Sequence, residues 1–437
     1  MKRKISAGAP GKRSVPIRHI AAVVLGNALE FYNFVTFAFF AVYIGRTFFP
    51  SDDPTASLLP ALATFGVGFI TRPIGGIVIG AMGDRIGRKP AMIFSFSLMG
   101  GAMIGLALTP SYAAIGIAAP ILVIVFRLVQ GFALGGEVGP TMSFLIEAAP
   151  PERRGFYASL QYATQDFASM CAGLVGFTLA NILDAQALQD WGWRVALLVG
   201  ALIIPVGLWL RHNLPETLHA ADDAALAPDA TAGKLTTRAK LKPYRLLLVL
   251  SLIMLASATI GNYVASYMVT YSIDTLHLAA NIAFGTIIIT AGANVLFEPI
   301  SGWLSDKYGR KPMMIVPNVV LLLSIFPAFW AIEHYRIAWV LYACLFWLAS
   351  WFAFGTVSII TMLTETLPAS VRSGAVSTVY AFAIGIFGGS TQFMLAWLIR
   401  QTGNPLAPAW YWAISLAIGL GAMLLTRESA PVKLGRK

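Results

Sequence analysis

Apolar runs long enough to cross a lipid bilayer recur along the whole chain. One set covers about 18–48, 57–82, 90–109, 113–146, 156–181 and 193–212. A second covers about 244–272, 281–304, 312–332, 336–364, 372–398 and 407–426. A spanning helix needs about 20 apolar residues for about 30 Å of hydrocarbon. Backbone polar groups in lipid must bond within their own segment, so each run is expected to be helical. The reading is an all-α polytopic membrane protein with twelve transmembrane helices in two six-helix pseudo-symmetric halves. The expected divisions are a cytoplasmic tail at 1–17, a bundle at 18–212, a cytoplasmic linker at 213–243, a bundle at 244–427 and a tail at 428–437.

Composition agrees. Charged residues are 12% of the chain, hydrophobic residues 57%, and mean hydropathy is +0.72. A soluble domain carries about 25% charge, so this chain lacks the polar skin that water requires. The net charge of +11 does not point to nucleic acid, because Lys and Arg cluster in short loops between apolar runs. With the N-terminus inside, most of the basic residues fall on the cytoplasmic side. Arg46, Arg194, Arg336 and Arg400 fall outside, and Arg72 and Arg127 lie in the membrane. Both termini are therefore predicted cytoplasmic, in the bacterial inner membrane. Cys171 and Cys344, the two cysteines, lie in apolar segments and form no disulfide framework or metal spacing. The basic start of the chain has no cleavage site after a short apolar core, so no signal peptide is read.

The two sets are related by an internal repeat. GAMGDRIGRKP at 80–90 aligns with GWLSDKYGRKP at 302–312, each joining the second and third helix of its half. Two halves related about an axis along the membrane normal is a transporter architecture. In the first copy, Gly83 and Gly87 permit a tight turn, and Asp84 can cap the next helix or pair with a cation. Arg85, Arg88 and Lys89 hold the loop on the anionic cytoplasmic face. Asp84, Arg85, Arg88, Asp306 and Arg310 are candidate gating residues, with a plain topology anchor as the alternative.

Ionisable groups in mid-membrane are costly unless paired or wetted, so each is a candidate for function. Asn27, Glu30 and Asn33 recur every third residue of the first run, within a sector of about 120°. Glu30 is the leading proton-titrating candidate; the alternative is a carboxylate held permanently by an Arg. Arg127, Gln130 and Glu137 fall within about 80° around the fourth helix, with Glu137 about 15 Å further along as a candidate for gating and proton coupling. Gly131, Gly135, Gly136 and Gly139 thin that wall for close packing. The planar fork of Arg127 suits Glu30 or a substrate carboxylate, or it pins helices. Arg72 is a second candidate buried cation, with a plain packing role as the alternative. Gln161, Gln165 and Asp166 supply polar contacts in the fifth helix, and Tyr263, Tyr267 and Tyr271 in the seventh. Asn294 and Glu298 share a face at i, i+4. Trp347 and Trp351 either wall the cavity or face lipid.

Several segments resemble the major facilitator superfamily, and within it the metabolite:proton symporter branch. They are GNALEFYNF (26–34), TRPIGG (71–76), RLVQGFALGGEVG (127–139), WGWR (191–194), LPET (214–217) and IFGGSTQ (386–392). AVYIGRTFFP (41–50) and TGNPLAPAWYW near the C-terminus resemble the citrate and tricarballylate carriers. The resemblance implies transport of a small organic anion with protons by alternating access. It also gives Arg127, Gln130 and Gly131 the family's RxxQG pattern. Related carriers have Asp where this chain has Asn33, and Asn takes up no proton in the working pH range. Coupling is then expected to rest on Glu30 or another acid.

The His residues form no cluster, and neither a nucleophile elbow nor a phosphate loop is present, so an enzyme or ATP-driven pump is not expected. No cofactor, metal or nucleic acid is expected, and the protein is read as a monomer in lipid. Alternatives are the same fold carrying shikimate, 2-oxoglutarate or betaine, an uncoupled facilitator, a drug efflux carrier, or a non-transporting membrane sensor. Arg72 and Arg127 favour an anionic cargo.

Overall fold

The structure is a computed structural model that describes residues 28, 31–32, 34–86, 88–136, 138–201, 205 and 241–435. Among them every regular element is a helix. The first half contains α1 (Ala41–Phe48), α2 (Pro54–Val67), α3 (Arg72–Ile86), α4 (Arg88–Leu108), α5 (Ala118–Ala133), α6 (Val138–Ala148) and α7 (Arg154–Ile182). The second contains α8 (Arg245–Thr270), α9 (Ala280–Tyr308), α10 (Arg310–Tyr335), α11 (Ala338–Thr366), α12 (Ala369–Phe382), α13 (Gly389–Thr402) and α14 (Ala407–Leu425). Seven helical stretches among the described residues are long and apolar enough to cross a membrane, from Ala56–Ile79 to Ala407–Leu425.

The outer surface is apolar. Ile77 is 73% exposed and Leu323 72%, and Trp347 is exposed while its Nε1 donates to Ser324. Such a surface needs lipid, not water, as its solvent. Trp347 is therefore a lipid-facing residue of α11, which resolves the two options open for it in the sequence.

Small residues bring helices together inside. Gly131 of α5 lies on the Gly68 carbonyl, and Gly155 of α7 on the Gly302 backbone of α9. A Cβ on Gly155 would sit 2.6 Å from the Gly302 oxygen, so any larger residue pushes the two halves apart. A π-helical turn at Tyr271–Thr275 ends α8, and a second at Ala383–Gly388 joins α12 to α13 in one helical stretch. The second contributes Ile384 to the central cavity, a common location for such turns.

Candidate functional site

The helices α7 and α9, one from each half, run against each other and carry polar groups to a shared cavity. The first half lines it with Phe31, Tyr162, Gln165 and Asp166. The second lines it with Thr259, Asn262, Tyr263, Glu298, Thr356 and Tyr380 among others. Gln165, Tyr263 and Glu298 thus line one space. Tyr267 is buried against the Tyr271 ring instead, and Gln161 is buried beside the cavity with its Oε1 unpartnered. Asn294 lines a smaller space inside the second half.

Asp166 comes within hydrogen-bonding reach of Glu298, with Asn294 beside them. An ionised carboxylate only accepts hydrogen bonds, so a bond between two carboxyl groups needs a proton on one of them. Glu298 is 2% exposed, and its Oε2, like Asn294 Oδ1, has no partner.

On another side of the cavity stands a cationic and aromatic cluster. Arg127 is 0% exposed, and its guanidinium lies 4.3 Å from the Phe34 ring, 4.6 Å from Phe37 and 4.9 Å from Phe65. It donates to Gln130 Oε1 at 2.7 Å and to the Phe65 carbonyl at 3.3 Å. Its Nε is unpartnered. Arg72 lies 4.9 Å from both Phe34 and Phe69, so the two guanidiniums flank one ring. Phe65 and Phe69 each pack against Tyr263, which faces the cavity. Arg127 thus sits behind an aromatic wall, held by cation–π contacts in place of a carboxylate among the described residues. Asn27, Glu30, Asn33 and Glu137 lie outside the described residues. Nothing of the side chains of Asp84, Arg85 and Arg88 is described.

The second copy of the repeated loop is a clasp between the halves. Asp306 accepts the backbone N–H of Gly155 at 2.7 Å and of Phe156 at 2.9 Å. Arg310 pairs with Asp306 at 2.8 Å and with Glu365 at 3.0 Å. Arg372 and Glu147 pair across the halves at 2.8 Å at the same end. At the other end, Asp53 pairs with Arg400 at 2.9 Å, and Asn281 donates to Asn181 at 3.2 Å. The halves are therefore bonded to each other on both sides of the cavity.

A family model described as the Major Facilitator Superfamily matches residues 23–390. The chain belongs to that superfamily. Its helical fold is shared with a solved structure of a D-xylose–proton symporter (TM-score 0.74, 19% identity, 93% of this chain and 96% of that one). The xylose transporter XylE of E. coli in a partially occluded inward-open conformation matches with TM-score 0.73 at 17% identity, covering 94% and 98%. In sequence, this superfamily member is 35% identical to the citrate–proton symporter of Klebsiella pneumoniae over 98% of this chain and 95% of the relative. It is 32% identical to the alpha-ketoglutarate permease of Escherichia coli (95% and 96%), and 30% to that organism's proline/betaine transporter (94% and 83%). These relatives are transporters of the branch the segments in the sequence resemble, not enzymes, and the protein is a multi-pass membrane protein.

Several lining residues carry little signal in the sequence. Tyr162, Asn262 and Tyr380 sit in apolar runs among many similar residues.

Proposed function

We propose that this member of the superfamily is a secondary transporter that imports a small organic anion with protons by alternating access. The cargo is a di- or tricarboxylate such as citrate or tricarballylate. The observation that carries the reading is the cavity at the junction of the halves, with Asp166 and Glu298 on one wall and Arg72 and Arg127 behind another. The guanidiniums supply positive potential for a polyanion, and the carboxyls supply proton sites. Full-length similarity to citrate–proton symporters supports the substrate class.

In this scheme Gln165, Tyr263 and Asn262 contact the cargo, Arg127 with Gln130 attracts it, and Asn27, Glu30 and Asn33 belong to the same site. Asp306, Arg310, Asp84, Arg85 and Arg88 hold one mouth shut, which the Lys and Arg distribution makes the cytoplasmic one. The two bundles, 18–212 and 244–427, rock about the cavity in a monomer of the inner membrane.

Uptake of labelled citrate into vesicles, with and without an inward proton gradient, tests this. Gradient-dependent uptake is the expected result. Uptake of 2-oxoglutarate, shikimate or betaine in place of citrate would keep the mechanism and change the cargo. Transport of none of these acids or zwitterions would remove the reading.

A further inference from the structure

The acid pair in the cavity wall has features that substrate binding does not account for. Asp166 and Glu298 come from different halves and meet in the wall of one cavity, within hydrogen-bonding reach of each other. Two ionised carboxyls in that position would repel, and one shared proton removes the repulsion and makes the bond. Glu298 Oε2 and Asn294 Oδ1 are both buried and receive no hydrogen bond from a described residue. Pro299 follows Glu298 inside α9 and has no N–H to give.

Among the described residues the groups facing the pair are mainly phenols. Tyr162 of α7 adjoins Glu298, Tyr263 comes from α8 and Tyr380 from α12, and all three are phenols. Arg72 acts on Tyr263 and Tyr380, and Arg127 on Tyr263, across the aromatic wall. On α11, Glu365 is committed to Arg310 and Tyr342 donates to the Ile282 carbonyl. Glu147 and Arg372 satisfy each other at the clasp end. Among the described residues, no Lys or Arg is paired with either member of the acid pair.

We propose that Asp166 and Glu298 form a proton-binding site split between the two halves. They hold one proton in common while the cavity is enclosed and give it up when the halves part and water enters. The bookkeeping is simple: the proton comes from water on one face, resides as an O–H on one carboxyl donating to the other, and leaves to water on the opposite face. Closing over an anionic cargo without it would add two further anions to a dry cavity, so the loaded carrier closes only when the pair is protonated, and the empty carrier returns with the pair ionised in a hydrated cavity. The inference rests on the transport reading and supplies a coupling acid that Asn33 cannot.

The test uses the full chain in proteoliposomes with the membrane potential clamped at zero and ¹⁴C-citrate as probe. One coupled proton and a gradient of one pH unit support up to about tenfold accumulation, since one unit is 1.36 kcal/mol. Asp166→Asn and Glu298→Gln are each expected to abolish gradient-driven accumulation while citrate exchange, though slowed, stays measurable. Glu30→Gln is run beside them. Wild-type accumulation in both pair variants, loss of exchange along with accumulation, or accumulation driven by a Na⁺ gradient would overturn the proposal. Infrared difference spectra over a pH series give a second readout without cargo. The expected result is a carboxylic C=O band that titrates in wild type and is absent from whichever variant folds. No titrating band in the wild-type protein overturns the pair even if citrate is not the cargo. Absence of citrate transport with the band present instead sinks only the substrate assignment.

Discussion

Asp306 of the second half binds the exposed N-terminus of α7 in the first, accepting the Gly155 N–H at 2.7 Å. Its other oxygen takes the Phe156 N–H, and Arg310 braces it from behind. A carboxylate at a helix N-terminus is favoured by the unpaired N–H groups and the helix dipole. This bond couples the halves directly, so it acts on the equilibrium between closed and open states at that mouth.

Replacing it is expected to open that mouth. Asp306→Asn keeps the shape but loses the charge and one acceptor, and charge-assisted bonds of this kind contribute about 1.5–3 kcal/mol. Spin labels on α6 and α12, where Glu147 and Arg372 face each other, should report a longer distance in the variant. An unchanged distance distribution would mean the clasp does not set the equilibrium.

Arg127 holds its cage through a planar fork with Gln130 and the Phe65 carbonyl as well as through three rings. Arg127→Lys keeps the charge but has no fork and a poorer fit to stacked rings. Transport is expected to fall by about 10- to 100-fold, the equivalent of ~1–3 kcal/mol of lost charged hydrogen bonding. Expression and monodispersity should persist. Wild-type uptake in this variant would remove Arg127 from the site.

Glu428, just beyond α14, accepts the backbone N–H groups of Arg310, Lys311, Ser429 and Ala430. Burial pushes its carboxyl up, but these four bonds outweigh burial and hold it below its ordinary value of 4.5. A depressed carboxyl contributes stability that is present above the unfolded value and lost as pH falls through the folded one. The wild type is therefore expected to lose melting temperature below about pH 4.5. Glu428→Gln should start lower at neutral pH and lose less on acidification. Parallel melting curves for the two proteins would contradict this.

The ion pair between Asp53 and Arg400 also joins the halves, but both side chains are largely exposed. Exposed pairs contribute about 0–1 kcal/mol. Asp53→Ala is expected to leave transport within about twofold of wild type at physiological salt, where screening further weakens the pair. A severe defect would mean that this end has a stronger gate than its exposure implies.

The span pattern, the two-half repeat and the membrane location follow from composition and period alone, because lipid imposes a length and a hydrogen-bond rule on every segment. Asn294 and Glu298 were legible as one face of a helix for the same local reason. So were Asp306 and Arg310, as members of a repeated loop. What spacing could not express is which helix of the other half each would meet. Asp166 reads as one more polar residue after Gln165, and it meets Glu298 only because α7 and α9 cross the junction side by side. Arg127 reads as a partner for an acid or a substrate, yet its described neighbours are aromatic rings and carbonyls drawn from α2, α5 and the segment before α1. Local chemistry and periodicity are properties of one segment and are carried by the sequence. The pairing of charges across separate segments depends on how glycine-thinned helices approach, and only the packed tertiary structure decides that.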